Sequence, residues 1–249
     1  MYFEAPENTT KSHLKLDRHK MKLEGIKHIF FDLDHTLWDF DKNSALTFQK
    51  IFGLHNVKVD HSQFVSAYEP INLNYWKLYR DEKIDKDDLR YYRLKDTFDA
   101  LDLEVEDPLI KILSNDYIAH LSSFNHLFEG TFELLDYLRP NYQLHIITNG
   151  FDEAQQKKMD NSKIAPYFKT VTNAELAGVK KPNPIIFNYA LNLAKAKPEE
   201  SLMIGDNYEA DILGAKALGW DVILFNYHNI TAEADIKQVK LLQELKAYL

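Results

Sequence analysis

Between Gly53 and Gly130 the chain contains no glycine, and its apolar residues recur at spacings of three and four. Ala45, Phe48 and Phe52 begin the pattern, and Phe64, Tyr68, Ile71, Tyr75 and Leu78 continue it, with Pro70 as an expected kink. Tyr91, Leu94, Phe98 and Leu101 follow, and Leu109, Leu113 and Tyr117 come after Pro108, a residue suited to open a helix. Four successive helices with short connections predict a small bundle. Before it, the run IKHIFF over 26–31 is too short for a helix and reads as a buried strand. It ends abruptly in Asp32-Leu-Asp34-His-Thr36.

Beyond Gly130 the pattern alternates. Helices are expected over 131–138, 152–160, 184–195, 208–218 and 241–249, with strands over 143–148, 170–172, 202–204, 222–225 and, weakly, 236–239. Strands alternating with helices imply right-handed crossovers and a parallel sheet covered on both faces. The expected fold is therefore α/β: a Rossmann-like parallel sheet with helices on both faces, interrupted after its first strand by a helical bundle. The expected boundaries are a core of 23–40 and 125–249, an inserted bundle of 41–124, and a flexible extension of 1–22 in which Met21 is a candidate functional start.

Composition narrows the chemistry. The sequence holds no cysteine, which removes disulfides, thiolate metal sites and cysteine nucleophiles. No two glycines stand in a G-x-G relation, and Gly214 and Gly219, though at Walker-type spacing, are followed by Trp220. A phosphate here is not held by a glycine-rich cradle. With 30 Lys+Arg against 38 Asp+Glu, the net charge of −8 disfavours nucleic acid and anionic membranes as partners. No apolar run reaches the ~18–20 residues of a membrane span, and the N-terminus lacks the apolar centre of a secretory signal. A cytoplasmic location is the expectation.

In an open parallel sheet, ligands bind beyond the carboxyl ends of the strands. That rule brings Asp32 and Asp34, Thr148-Asn149-Gly150, Lys181 and Asp206 to one edge, though they are distant in sequence. Carboxylates without soft ligands suit a hard cation such as Mg²⁺. A carboxylate can also attack phosphorus, while a second acid two residues on moves protons. A hydroxyl, backbone amides and a lysine can hold the phosphoryl oxygens. With Asp211 the acids bring four negative charges against three from Mg²⁺ and Lys181, so one protonated aspartate would make the empty site neutral.

Asp32-Leu-Asp34-His-Thr36, then Thr148-Asn149-Gly150, then Lys181-Pro-Asn-Pro184, then Gly205-Asp206-Asn-Tyr-Glu-Ala-Asp211 resembles the ordered motif set of the haloacid dehalogenase-like hydrolases. The resemblance spans nearly the whole chain from Ile26, and the inserted bundle falls where that family carries a helical cap. It implies Asp32 as nucleophile and Mg²⁺ ligand, and Asp34 as acid/base contributing its carbonyl to the metal. It further implies Thr148, the Asn149 amide and Lys181 as phosphoryl-binding groups, Asp206 as a metal ligand, and Asp211 as a support for Lys181 or a metal-bound water. Asp34 favours phosphoryl transfer over carbon–halogen cleavage, because the metal-free dehalogenases lack an acid there. Leu37-Trp38-Asp39-Phe40-Asp41, continuing into Asn43-Ser44, is similar to the pyrimidine 5′-nucleotidase subfamily. The implied substrate is a small phosphorylated metabolite of nucleotide type. A phosphatase or phosphomutase of small sugar or organic phosphates, a metal-independent dehalogenase and a non-enzymatic phospho-switch are the alternatives. Of the cap aromatics Trp38, Phe40, Tyr75, Trp76, Tyr79, Tyr91 and Tyr92, most are expected to pack the core, the rest to offer a stacking surface for a base.

Overall fold

The structure, a computed structural model, describes residues 22–249. The extension expected over 1–22, Met21 included, lies outside the described residues save for Lys22. Strands β1 (His28–Phe31), β2 (Gln143–Thr148), β3 (Phe168–Asn173), β4 (Ser201–Gly205), β5 (Asp221–Phe225) and β6 (Lys237–Val239) form one parallel sheet in the order β3-β2-β1-β4-β5-β6. β1 and β4 are buried along their whole length, which is why they read as unbroken apolar runs rather than alternating ones. The strand order reverses between β1 and β4. That reversal opens a crevice at their carboxyl ends.

Helices α1 (Phe40–Leu54), α2 (His61–Arg80), α3 (Lys86–Ala100) and α4 (Asp107–Leu121) follow β1 directly. Aspartates start the first three: Asp39, Asp60 and Asp85 accept hydrogen bonds from main-chain N–H groups of the opening turns. The periodic apolar residues meet inside the bundle, where the Phe48 ring lies 4.6–5.6 Å from those of Phe52, Phe64, Tyr68 and Tyr117. α2 continues through Pro70 as one helix of 20 residues. Longer helices beyond the bundle are α5 (Thr131–Leu138), α6 (Asp152–Asn161) and α7 (Pro184–Ala194). One apolar cluster takes in a face of the sheet, Trp38 and the interior of the bundle, and a second, which includes Phe30, Phe187, Met203 and Trp220, covers the other face.

Two expected helices differ in kind. The segment expected as a helix over 208–218 begins as a π-helical stretch, Tyr208–Leu213, before an α-turn at Gly214–Lys216. There the Asp211 carboxylate accepts the Asn207 N–H at 3.0 Å and also pairs with Lys181, and the widened turn accommodates a side chain folded back toward the crevice. The segment expected as a helix over 241–249 is a 3₁₀ segment, Leu242–Ala247. Its buried Leu242 and Leu245 are three apart, matching three residues per turn.

The sheet also buries a histidine pair. His28 Nδ1 lies 3.1 Å from His145 Nε2, and His145 Nδ1 lies 2.8 Å from Thr170 Oγ1. Burial, and then the proximity of His28, lower the His145 pKa to about 4. The unfolded chain, titrating near ~6.5, therefore binds the extra proton first. Stability contributed by neutral His145 is complete above pH ~6.5 and is lost as pH falls toward 4, by about 3 kcal/mol. Measured by urea unfolding, the stability advantage of wild type over His145→Gln should shrink by roughly that amount between pH ~7 and ~4. An advantage that stays constant across this range contradicts the assignment.

Candidate active site

The catalytic edge begins where β1 stops. Asp32 N–H donates to the Ile204 carbonyl at 2.9 Å, so the sheet ladder carries one residue past the strand and sets Asp32 at the crevice. The chain then folds back: His35 N–H donates to Trp38 O at 3.0 Å, and Trp38 N–H to Leu33 O at 2.9 Å. His35 takes a left-handed φ of 59° in this turn. Leu33 and Leu37 are buried beneath the loop, while Asp34 stays partly exposed on the rim.

Lys181 is fully buried against the nucleophile candidate. Its Nζ donates to Asp32 Oδ1 at 2.7 Å and to the Ile147 carbonyl at 2.8 Å, and pairs with Asp211 Oδ1 at 2.6 Å. The ammonium group is thus held by two hydrogen bonds and a close ion pair. Burial works to lower the Lys181 pKa, but the Asp211 and Asp32 carboxylates outweigh it, and the net shift is upward. Asn149 fixes the main chain here: its Oδ1 accepts the Lys181 N–H at 2.6 Å and its Nδ2 donates to the Lys181 carbonyl at 3.0 Å. The Asn149 side chain is thus committed to holding the lysine loop.

Asp32, Asp206 and Asp211 each offer a carboxylate oxygen within 4.8 Å of the others. Burial, opposed by Lys181 and reinforced by Asp211 and Asp34, raises the Asp32 pKa to about 7. Burial together with Asp32 and Asp211 raises Asp206 well above the usual carboxylate range. Crowded, dehydrated carboxylates of this kind are all hard oxygen donors. They fit a divalent cation such as Mg²⁺, which takes few protein carboxylates and keeps several waters. Gly205 is required beside them, because a Cβ there would overlap the Asp211 carboxylate.

Asp34 has partners that the sequence did not reveal. Lys158 Nζ donates to its two oxygens at 2.7 and 2.9 Å, and Gln155 Nε2 donates to Oδ2 at 2.9 Å. Gln155 also donates to Thr148 Oγ1 at 2.7 Å, and the Gly150 N–H donates to the same oxygen at 3.1 Å. With both bonds accepted, the Thr148 hydroxyl proton is left to donate. Lys158 corrects the charge count: with it, four positive charges face four aspartates once a divalent ion is bound, and no protonated aspartate is needed. Lys158 and Gln155 lie three apart on α6, a helix so rich in Glu, Gln, Lys and Asp that it reads as a solvated surface. Only the fold shows which of its faces is buried.

The cap completes the enclosure. A cavity of about 130 Å³ is bounded by Asp32, Asp34, Thr148 and Asp206 from the core and by Trp76 and Arg80 from α2. Trp38 is wholly buried, whereas Phe40 and Trp76 reach this cavity, and Tyr79 packs on Phe151 beside it. Tyr75 and Tyr91 are tied to Asp96 and Asp107 within the cap. Three cap–core ion pairs, Lys77–Glu209 and Arg80–Glu209 at 2.9 and 2.6 Å and Lys86–Glu175 at 3.0 Å, are largely exposed on at least one side. Pairs of that kind hold a closed cap only weakly. Asn43, in the stretch after β1, ties the two connections of the cap together: it donates to Asp39 O and His126 O and accepts from His126 N–H.

A parallel sheet carrying carboxylates at its switch point, beneath an inserted helical cap, defines the class of capped α/β hydrolases. The family model of the haloacid dehalogenase-like hydrolases matches residues 26–219, and the chain belongs to that family. It is 32% identical over 203 residues to the pyrimidine 5′-nucleotidase YjjG of Escherichia coli, covering 81% of this chain and 86% of that one. It is 33% identical over 219 residues to a glyceraldehyde 3-phosphate phosphatase of Pyrococcus furiosus, covering 85% of each. Among solved structures, the putative hydrolase YfnB of Bacillus subtilis, described as bound to magnesium, superimposes with a TM-score of 0.79 at 27% identity, covering 88% of this chain and 96% of that one. No helix among the described residues is long and apolar enough to cross a membrane.

Proposed function

We propose that the chain is a Mg²⁺-dependent phosphomonoesterase that works through an aspartyl-phosphate on Asp32, with pyrimidine nucleoside 5′-monophosphates as its substrates. The observation that carries this reading is the pair of differently held carboxylates on one rim: Asp32 fixed by buried Lys181, Asp34 held by Lys158 and Gln155. Asp32, Asp206 and the Asp34 carbonyl would hold the Mg²⁺, which supplies positive charge to the transferring oxygens.

Lys181 works against burial in favour of the Asp32 carboxylate and aims it, so its free oxygen can attack phosphorus in line with the leaving oxygen. The Thr148 hydroxyl and the Asn149 main-chain amide take phosphoryl oxygens. Asp34 protonates the departing alcohol and then takes a proton from the water that hydrolyses the intermediate. Lys158 and Gln155 fix the Asp34 carboxyl on the rim, where the same group can serve both steps. Cap helices over the site exclude bulk water during the first step.

The nucleotide preference is supported by the stretch from Leu37 to Ser44 and by the similarity to the E. coli nucleotidase. Phosphatase or phosphomutase action on small sugar phosphates is the second reading, favoured by the similarity to the glyceraldehyde 3-phosphate phosphatase. A phosphate-release screen with Mg²⁺ separates them. The highest kcat/KM should fall on a pyrimidine nucleoside monophosphate, and chelation should abolish release. A maximum on a triose or sugar phosphate moves the assignment to the second reading, and turnover after exhaustive chelation contradicts the metal requirement.

A further inference from the structure

A second cavity, about 380 Å³, adjoins the catalytic one and shares His35, Phe40, Asn72 and Leu73 with it. Whatever is esterified to a phosphoryl group at Asp32 can extend into this space. Its volume falls within the ~300–1,000 Å³ of small-molecule sites. The lining is unusual in its charge. Asp41 of α1 and Glu69 of α2 contribute to the wall, the imidazoles of His35 and His228 are held below their ordinary pKa chiefly by burial, and no lysine or arginine among the described residues lines it. The Asp41 pKa is raised to about 7 by burial and by the neighbouring Glu69 and Asp39, so these acids already crowd one another. Arg93 contacts the wall residues Asn72 and Tyr68 without lining the cavity itself. It lies behind Asn72, donating to Asn72 Oδ1 at 3.0 Å, and its guanidinium carbon is 4.8 Å from the Tyr117 ring centroid. Because Asn72 Oδ1 also accepts from the Tyr68 hydroxyl at 3.1 Å, the Asn72 amide N–H₂ is the group left to face a ligand.

Building on the phosphomonoesterase reading, we propose that this cavity receives the leaving alcohol and selects it by charge. Asp41 and Glu69 make it a site for neutral or cationic groups rich in hydroxyl or amino donors, and a barrier to leaving groups that carry a carboxylate or second phosphate. Two carboxylate walls accept hydrogen bonds from a ribose diol or a base amino group, and Asn72 donates to a base carbonyl. An anion placed among them would meet repulsion in a partly dehydrated space, where like charges are costly. Positive charge in the catalytic cavity serves the phosphoryl group, so none is left over to compensate a second anion here.

Matched pairs of esters test this with Mg²⁺ present: uridine 5′-monophosphate against its 6-carboxylate, orotidine 5′-monophosphate, and glucose 6-phosphate against 6-phosphogluconate. The neutral member should have the higher kcat/KM in each pair, by about tenfold or more. Glu69→Gln and Asp41→Asn should each narrow that ratio several-fold, chiefly by lowering KM for the anionic member. An anionic member used as well as its neutral partner, or ratios unmoved in both variants, overturns the charge rule while leaving the phosphatase reading standing. Absence of phosphate release from every ester, p-nitrophenyl phosphate included, overturns the phosphatase reading and the charge rule with it.

Discussion

Asp32→Asn is expected to lower kcat by on the order of 10⁴-fold or more, with the fold intact. The amide is nearly isosteric but has no anionic oxygen with which to attack phosphorus. Stability should hold or rise slightly. Asp32 is buried and held above its ordinary pKa by desolvation, so a neutral side chain relieves a cost rather than creating one. Lys181 would keep Asp211 and the Ile147 carbonyl as partners. The measurement is steady-state phosphate release beside a thermal melt. Activity within tenfold of wild type, in a variant that melts normally, would place the nucleophile elsewhere.

Asp34→Asn should produce a different kind of defect. Loss of a general acid/base typically costs ~10²–10⁴-fold. Here the size should depend on the leaving group. A nucleoside alcohol needs its oxygen protonated, so both steps slow. p-Nitrophenol leaves readily as an anion, so formation of the intermediate should survive while its hydrolysis, which needs a base, stalls. With p-nitrophenyl phosphate the variant should show a burst of about one equivalent of p-nitrophenol per site followed by a slow phase. Rapid-quench kinetics reads this directly. Equal losses on both esters with no burst would mean that Asp34 only shapes the site. Lys158 and Gln155 lose their carboxylate partner in this variant, but an amide can still accept from both.

Much of this architecture could be read from periodicity. The strands of the sheet centre are short unbroken apolar runs, and the cap helices repeat at three and four, so the fold class and the inserted bundle were legible. The positions of Asp32, Thr148 and Asp206 were legible because each ends a strand, and parallel topology delivers all strand ends to one edge. What escaped was set by contacts between distant segments. Lys158 looked like any lysine on a charged helix, and its burial against Asp34 follows only from how α6 meets the β1 loop. The π-helical turn after Asn207 depends on Asp211 folding back toward Lys181, a contact no local propensity encodes. Asp41 and Glu69 stand on separate cap helices, and their shared cavity exists only once those helices are packed. Motif residues pointed to the proposed reaction, and only packing pointed to the proposed charge selection.

The central claim is that Asp32 carries the phosphoryl group between substrate and water. The most direct measurement is to mix Asp34→Asn protein with p-nitrophenyl phosphate and Mg²⁺, quench in acid during the burst, digest and map the phosphoryl group by mass spectrometry. The account predicts one phosphoryl group on the peptide containing Asp32, absent when Asp32 is also replaced by Asn. A burst of product with an unmodified Asp32 peptide, or a phosphoryl group on another residue, would contradict it.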